Sequence, residues 1–397
     1  MACLTWVDAE AVSGVFGGRT LLQETAVRVN GPGFPPPVTV AHEAHQFLVA
    51  DQLDALAGGR GPIVLEPIGR NTAAVAVLVS LLVARKDPSG IILLLPSDHL
   101  IKDAKHFQLL VREAVPAVQA GWICLFGIPP NRPETGYGYI ESSNEAVPDP
   151  NSPVRRVASF IEKPDPATAE RLVSAGDYLW KSGMFLFSAK SMLEEAEERR
   201  PDLVARTREA LEAGASDGAS ISLDRAAFEM TESMSLDYAI MEASTRTAVL
   251  RAAIDWNDLG AWDAIYDAHH KDAQDNVLLG RAVAYDTSGS LIRSDRHLVT
   301  TVGVRNVVVV ATDDAVLVAD RSYAQWVKQA LDLVTSRGFE EAGRHSEAHR
   351  PWGTYRLIVS GERFQVKVIT VKPGGRLSLQ LHRHRAEHWV VVKGSAK

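Results

Sequence analysis

Ile91-Ile-Leu-Leu-Leu-Pro-Ser-Asp-His99 is the stretch from which the fold can be read. Five consecutive aliphatic residues make a strand buried on both faces, the pattern of a strand inside a parallel sheet. Proline ends the run. Asp98 then stands just beyond the carboxyl end, the edge at which open α/β sheets bind ligands. A carboxylate there suits a hydrated divalent cation arriving with a nucleotide's phosphates. It suits a turn or a helix cap equally well, and the stretch alone leaves both readings standing.

Outward from this strand, between residues 38 and 270, short apolar runs alternate with amphipathic ones. Strands are expected at 38–41, 63–66, 91–95, 122–128, 157–161 and 184–187, and helices at 44–56, 72–84, 104–118 and 166–175. That alternation predicts an α/β fold, a parallel, doubly wound sheet with helices on both faces. The start fits less well. Residues 4–7 make at most a very short strand, and no glycine-rich phosphate loop follows them. Gly17-Gly18-Arg19, ahead of a helical stretch at 20–29, reads as a turn. Beyond residue 268, Val-rich runs at 277–284, 291–292, 298–302, 307–311 and 315–319 predict a small rolled or solenoid-like β structure, followed by a helix at 322–335. The polar stretch 337–348 reads as a linker, and strands at 353–359, 364–371 and 389–392 begin a second β unit.

A chain of 397 residues is too long for one core, so about two or three domains are expected. Lys+Arg 42 against Asp+Glu 49 leaves a net charge of −7, which gives no basis for binding nucleic acid or a membrane surface. A phosphate-bearing ligand must therefore be met by local charge or by metal. Cys3 and Cys124 make neither a disulfide framework nor a zinc site and fit a reducing compartment. The first residues lack the basic start and apolar core of a signal peptide, and the apolar run 73–84 is too short to span a bilayer. A soluble, cytoplasmic protein is expected.

Several short stretches carry candidate chemistry. In Glu66-Pro-Ile-Gly-Arg-Asn-Thr72, Asn71 or Thr72 can cap the following helix and leave amide donors aimed into a crevice; a turn with a good cap explains it too. Arg132-Pro-Glu-Thr-Gly-Tyr-Gly-Tyr-Ile140 alternates glycine with aromatics, so Gly136 lets the backbone approach a ligand and Glu134 offers an acceptor to hydroxyls; a tight hairpin would need the same glycines. Phe160-Ile-Glu-Lys-Pro164 sets Glu162 and Lys163 on opposite faces, where they need not neutralise each other; taken alone, it reads more simply as surface charges before a proline turn. Trp180-Lys-Ser-Gly-Met184 enters a strand, and Asp258, a second carboxylate, precedes a helix beginning at Ala261, where taken alone it is more often a cap than a metal ligand. Near the end, His382, His384 and Glu387 form an imidazole and carboxylate set suited to Zn²⁺, Fe²⁺ or Mn²⁺.

Taken together, the segments 66–72, 95–99, 126–140, 160–164, 180–187, 235–242, 256–262, 350–355 and 364–394 resemble the mannose-1-phosphate guanylyltransferase family, in its bifunctional form with a type II mannose-6-phosphate isomerase domain. The resemblance implies a Rossmann-like nucleotidyltransferase domain of glycosyltransferase-A type over residues 1–268, a small β-rich domain with a terminal helix over 269–336, a linker at 337–348 and part of a cupin β-barrel over 349–397. It implies transfer of GMP from GTP to α-D-mannose 1-phosphate, giving GDP-mannose for polysaccharide synthesis and releasing pyrophosphate. Asp98 and Asp258 would hold Mg²⁺. Glu134, Gly136, Glu162 and Lys163 would hold the sugar phosphate, with Lys163 counted among the catalytic groups, while Asn71 and Thr72 would line the nucleotide site.

Three departures from the family pattern shape the expectation. The opening strand and the signature GGxGTRLWPLSR, with its downstream PKQ, are not found. Losing one electrostatic donor of that kind costs ~10²–10³ in rate, so pyrophosphate release near background is expected, and the sheet is expected to lack its first, central strand. Lys181 stands in the substrate-binding motif where the family has Asn, and an ammonium carries no acceptor. The cupin stops after its first metal motif, so the chain reads as a family member truncated at both ends, with exposed edges that favour homo-oligomers. The alternatives are a catalytically inactive remnant that still binds nucleotide or sugar phosphate and, behind it, a metal-dependent mannose-6-phosphate isomerase.

Overall fold

Ile92 and Leu94 turn to one side of the central sheet and Leu93 and Leu95 to the other, and each side meets its own hydrophobic core. The two-sided burial expected of this run is therefore what the fold is built on. The computed structural model describes residues 2–7, 18–339, 347–377, 383–384 and 386–395, with 2–7 and 325 described by their backbone. The chain divides into two compact units, Met1–Gly343 and Arg344–Lys397.

In chain order the first unit opens with β1 (Ala2–Val7), α1 (Leu21–Arg28), β2 (Val38–His42), α2 (Gln46–Asp54) and β3 (Ile63–Glu66). Next come α3 (Asn71–Ala84), β4 (Ile91–Pro96), β5 (Leu100–Ile101), α4 (Ala104–Gln119) and β6 (Ile123–Ile128). They are followed by β7 (Tyr139–Ala146), β8 (Val154–Ile161), α5 (Pro166–Ala175), β9 (Tyr178–Ser188), α6 (Ala189–Arg199) and α7 (Pro201–Glu212). After β10 (Ala215–Ser216), β11 (Ser220–Ser222) and α8 (Arg225–Glu229) the layer ends with β12 (Thr247–Arg251), β13 (Trp256–Asn257) and α9 (Trp262–Ala268).

Eleven of these strands form one sheet in the order β10-β11-β3-β2-β1-β4-β9-β6-β12-β8-β7, with β9 also bonded to β7. The strands from β11 to β4 run parallel. The sheet as a whole is mixed, because β9 runs antiparallel between β4 and β6 and β8 antiparallel to β12. Helices cover both faces. On one, α3 is apolar all round and buried from Ala73 to Leu81, since it lies between the sheet and α6 and α7. On the other, α4 turns Phe107, Leu110, Val111, Ala114 and Val118 inward at helical spacing.

The expectation of a missing central strand is overturned. β1 lies between β2 and β4 and parallel to both, with Leu4 opposite Val38 on one side and Leu94 on the other. Its apolar and β-branched residues suit such a place, but only the partners reveal it. Residues 8–17, where a phosphate loop would follow, lie outside the described residues. α1 begins with a reciprocal capping box in which Thr20 and Gln23 satisfy each other's amides, so the helix entry expected after Gly18-Arg19 is present, while Gly17 lies outside the described residues.

The β-rich part of this unit comprises β14 (Val277–Tyr285), β15 (Leu291–Val302), β16 (Val307–Ala311) and β17 (Val316–Asp320). The first three stack in parallel, so that Val277, Leu291 and Val308 lie in register and join Leu259, Ile265 and Tyr266 in one core. This is the rolled, solenoid-like arrangement expected from the Val-rich runs. The helix α10 (Val327–Ser336) follows. The second unit is an antiparallel sheet of β18 (Glu347–Arg350), β19 (Gly353–Gly361) and β20 (Phe364–Val371). The strand expected at 389–392 is absent there; those residues are exposed and make no ladder. No helix among the described residues is long and apolar enough to cross a membrane.

Candidate active site

β4 ends at Pro96, and the chain turns through Ser97 and Asp98 into the two-residue strand β5, which pairs antiparallel with β13. Trp256 faces Ile101 and Asn257 faces Leu100. Continuing that register sets Asp258 opposite His99, so two carboxylates far apart in sequence, Asp98 and Asp258, stand on adjoining segments.

Both lie beside aromatic groups the sequence did not single out. The indole Nε1–H of Trp256 donates to His99 Nδ1 at 3.2 Å, which leaves the imidazole proton on Nε2, 3.9 Å from Asp98 Oδ1. Burial, with the Arg28 charge adding to it, lowers the His99 pKa to about 3, so the ring is neutral. Asp258 Oδ1 accepts the Tyr137 hydroxyl at 2.6 Å and the Gly260 amide at 3.3 Å. Burial raises the Asp258 pKa, and these two donors work against that rise. The Tyr137 ring is wedged edge-on between Trp180 and Trp256, with centroids 5.3 and 5.5 Å away.

Tyr137 belongs to the glycine and aromatic loop, which also fixes Glu134. Its Oε1 accepts the Gly136 amide at 3.1 Å, and the Tyr139 hydroxyl bonds both the backbone amide and the carbonyl of Glu134. Arg132 pairs with the other carboxylate oxygen at 3.3 Å. One residue past Tyr137, Gly138 takes the Lys181 amide on its carbonyl at 2.8 Å. Here β8 and β9 deliver a second charged group. Glu162 Oε2 accepts from Lys181 Nζ at 2.6 Å, and Asp237 Oδ2 lies 3.4 Å from the same ammonium. Lys163 is exposed, has a positive φ of 43° and forms no ion pair among the described residues.

The crevice expected at the start of α3 differs from the expectation. The Asn71 carboxamide takes the Thr72 amide at 2.7 Å, and the Ala73 amide goes to the Met234 carbonyl at 3.1 Å. Thr72 spends its hydroxyl on the Leu236 amide at 2.8 Å. The first amides of the helix are thus occupied, and the segment is stitched to the turn that carries Asp237. Asn71 itself remains exposed. The structure thus sets Asp258 and Glu134 beside Tyr137, Asp98 on the segment that adjoins Asp258, and Glu162 with Lys181 next to Gly138, while Thr72 ties the start of α3 to the 234–237 turn.

Among the described residues no three His, Cys, Asp or Glu side chains converge. A pair of carboxylates suits Mg²⁺, which keeps several waters and completes its shell with substrate phosphates. The half-buried Asp258, whose acidity burial weakens, is a group that a cation's charge would relieve. In the second unit His384 and Glu387 are exposed, and His382 lies outside the described residues.

Residues 10–275 match the Nucleotidyl transferase family, 280–333 the MannoseP isomerase/GMP-like beta-helix domain and 337–397 the Mannose-6-phosphate isomerase C-terminal family. The alginate biosynthesis protein AlgA of Pseudomonas aeruginosa is 43% identical over 382 residues, covering 96% of this chain and 79% of its own length. The mannose-1-phosphate guanylyltransferase of Escherichia coli K12 is also 43% identical, over 383 residues, covering 96% of this chain and 80% of its own. Among solved structures, mannose-1-phosphate geranyltransferase from Thermus thermophilus superposes with a TM-score of 0.71 at 29% identity, over 84% of this chain and 99% of that one. Mannose-6-phosphate isomerase from Helicobacter pylori gives 0.57 at 25%, over 64% and 98%.

Proposed function

Because the chain belongs to the mannose-1-phosphate guanylyltransferase family, we propose that it is built to transfer GMP from GTP to α-D-mannose 1-phosphate, forming GDP-mannose and pyrophosphate. The observation that supports this reading is the β5–β13 pairing, which sets the segments carrying Asp98 and Asp258 side by side beyond the carboxyl end of β4, with Tyr137 of the glycine and aromatic loop bonded to Asp258.

In this reading a sugar-phosphate oxygen attacks the α-phosphorus in line, and positioning with charge neutralisation supplies the catalysis. Glu134 and Glu162 accept sugar hydroxyls, and Gly136 lets the ring approach the backbone. Lys163, exposed and without an ion pair among the described residues, meets the sugar phosphate. Asn71, with Thr72 anchoring the turn behind it, borders the nucleotide. Asp98 and Asp258 would hold Mg²⁺, which when bound neutralises the reacting phosphates. Tyr137 and the Gly260 amide fix one oxygen of the Asp258 carboxylate. We assign this chemistry to residues 1–268, with 269–336 as a β-rich support, 337–348 as a linker and 349–397 as cupin-type sequence in which His382, His384 and Glu387 would hold a metal such as Zn²⁺, Fe²⁺ or Mn²⁺. GTP and sugar phosphates are cytoplasmic metabolites, and we propose that compartment.

A second reading, a binding protein without turnover, is favoured by one observation: residues 1–30 contain no GGxGTRLWPLSR signature. Pyrophosphate release from GTP, Mg²⁺ and mannose 1-phosphate separates the two. We expect both ligands to bind and release to run at least ~10²-fold below that of a relative bearing the signature, with Asp98→Asn abolishing what remains. Binding without release establishes the second reading. Binding of neither ligand would overturn both.

A further inference from the structure

Lys181 lies among groups that a sugar would need. Its side chain is only 12% exposed, and its ammonium reaches Glu162 Oε2 at 2.6 Å and Asp237 Oδ2 at 3.4 Å. It lies directly above Gly138: a Cβ on that glycine would fall 2.6 Å from Glu162 Oε2 and 3.2 Å from Lys181 Nζ. The second oxygen of Asp237, Oδ1, is buried without a hydrogen-bond partner among the described residues. Two carboxylates and one ammonium leave the cluster a net negative charge, so it does not attract phosphate. What such a cluster can recognise is hydroxyl.

We propose that Lys181 closes the hexose subsite from within, its ammonium occupying the Glu162 and Asp237 oxygens that sugar hydroxyls would otherwise reach. The inference rests on the reading of Glu162 as a sugar-binding residue. An ammonium has three donors and no acceptor, so it cannot return to a hydroxyl donor what it takes from these carboxylates. A sugar hydroxyl could replace each of these bonds with one that has a single ionised partner, so the exchange gives up the attraction between ammonium and carboxylate. Burial works to lower the Lys181 pKa, but the Asp237 and Glu162 charges outweigh it and hold the ammonium protonated. A hexose that is to use Glu162 Oε2 or Asp237 Oδ2 must therefore displace the ammonium. An asparagine at this position, the residue the family motif carries, is too short to span both carboxylates and brings a carbonyl acceptor of its own.

Calorimetric titration of the full chain with mannose 1-phosphate tests this. Lys181→Asn binds about tenfold or more tightly than the unaltered chain, and Lys181→Gln shifts in the same direction. Thermal melts of the three proteins verify that each is folded. Affinity that is unchanged or weaker in both variants overturns the proposal. GTP titrations on the same samples keep the two levels apart. If no protein binds mannose 1-phosphate while all bind GTP, the Lys181 proposal falls and the nucleotide half of the functional reading stands. If neither ligand binds to any of them, both fall.

Discussion

Removing one hydroxyl tests whether the cleft is organised around the Asp258 carboxylate. In Tyr137→Phe the donor 2.6 Å from Asp258 Oδ1 disappears, while the ring keeps its packing between Trp180 and Trp256. A hydrogen bond to a charged group contributes ~1.5–3 kcal/mol. Asp258 is half-buried and keeps only the longer Gly260 amide bond at 3.3 Å in exchange, so about 2 kcal/mol is the expected loss. At ~2.1 cal/mol/K per residue, a unit spanning Met1–Gly343 unfolds with roughly 0.7 kcal/mol/K, and the loss lowers its Tm by about 3 °C. Asparagine at 258 still accepts the phenol, but a neutral pair is worth roughly half as much. In the Asp258→Asn background the same Tyr→Phe step should therefore lower Tm by only about 1.5 °C. Differential scanning calorimetry of the four proteins, in buffer free of divalent ions, measures the cycle. An equal drop in both backgrounds, or a first drop under about 1 °C, would refute the reasoning.

Two further outcomes are expected. Burial raises the Asp237 pKa above its ordinary value of 3.8, with Lys181 opposing the rise. The folded chain then holds this proton longer than the unfolded one, so native stability declines as pH climbs from 3.8 through the raised folded value. Asp237→Asn removes that decline, and denaturant titrations between about pH 4 and 7 should show the variant gaining on the parent; parallel curves would rule the assignment out. For the paired carboxylates, Asp98→Asn and Asp258→Asn should each weaken Mn²⁺ binding at least about tenfold, followed through the free-ion electron paramagnetic resonance signal. Undiminished affinity in either variant takes that residue out of the site.

Much of this architecture could be read from local pattern. The double-faced burial of 91–95 and the all-round apolarity of 73–81 depend on residue type alone, and both elements fall where the sequence puts them. What escaped depends on partners. The meeting of Asp98 and Asp258 rests on a ladder of two residues against two, Leu-Ile with Trp-Asn, too short to leave a periodic signal. β9 runs from Tyr178 rather than from 184, since Trp180 to Gly183 belong to the strand itself; Gly183 holds a φ of 68° inside it, its Cα side facing Pro96 and His99. Asp237 reaches Lys181 from a single π-helical turn at Asp237–Met241, which no apolar spacing announces. Tyr137 and Trp256 were visible as aromatics beside candidate carboxylates, but their hydroxyl and indole donors acquire roles only once β5 and β13 pair.

Antiparallel β9 also governs when this protein can become itself during synthesis. Among the described strands, those on the β4 side and those on the β6 side are hydrogen-bonded to each other only through β9. A ribosome that has released residues 1–177 has delivered strands of both half-sheets without the strand that joins them. Until Tyr178–Ser188 emerges, β4 and β6 each present an open, apolar edge where β9 should lie. Stalling before that point exposes the nascent chain to mispairing, and the segment that covers these two edges is the one that carries Lys181.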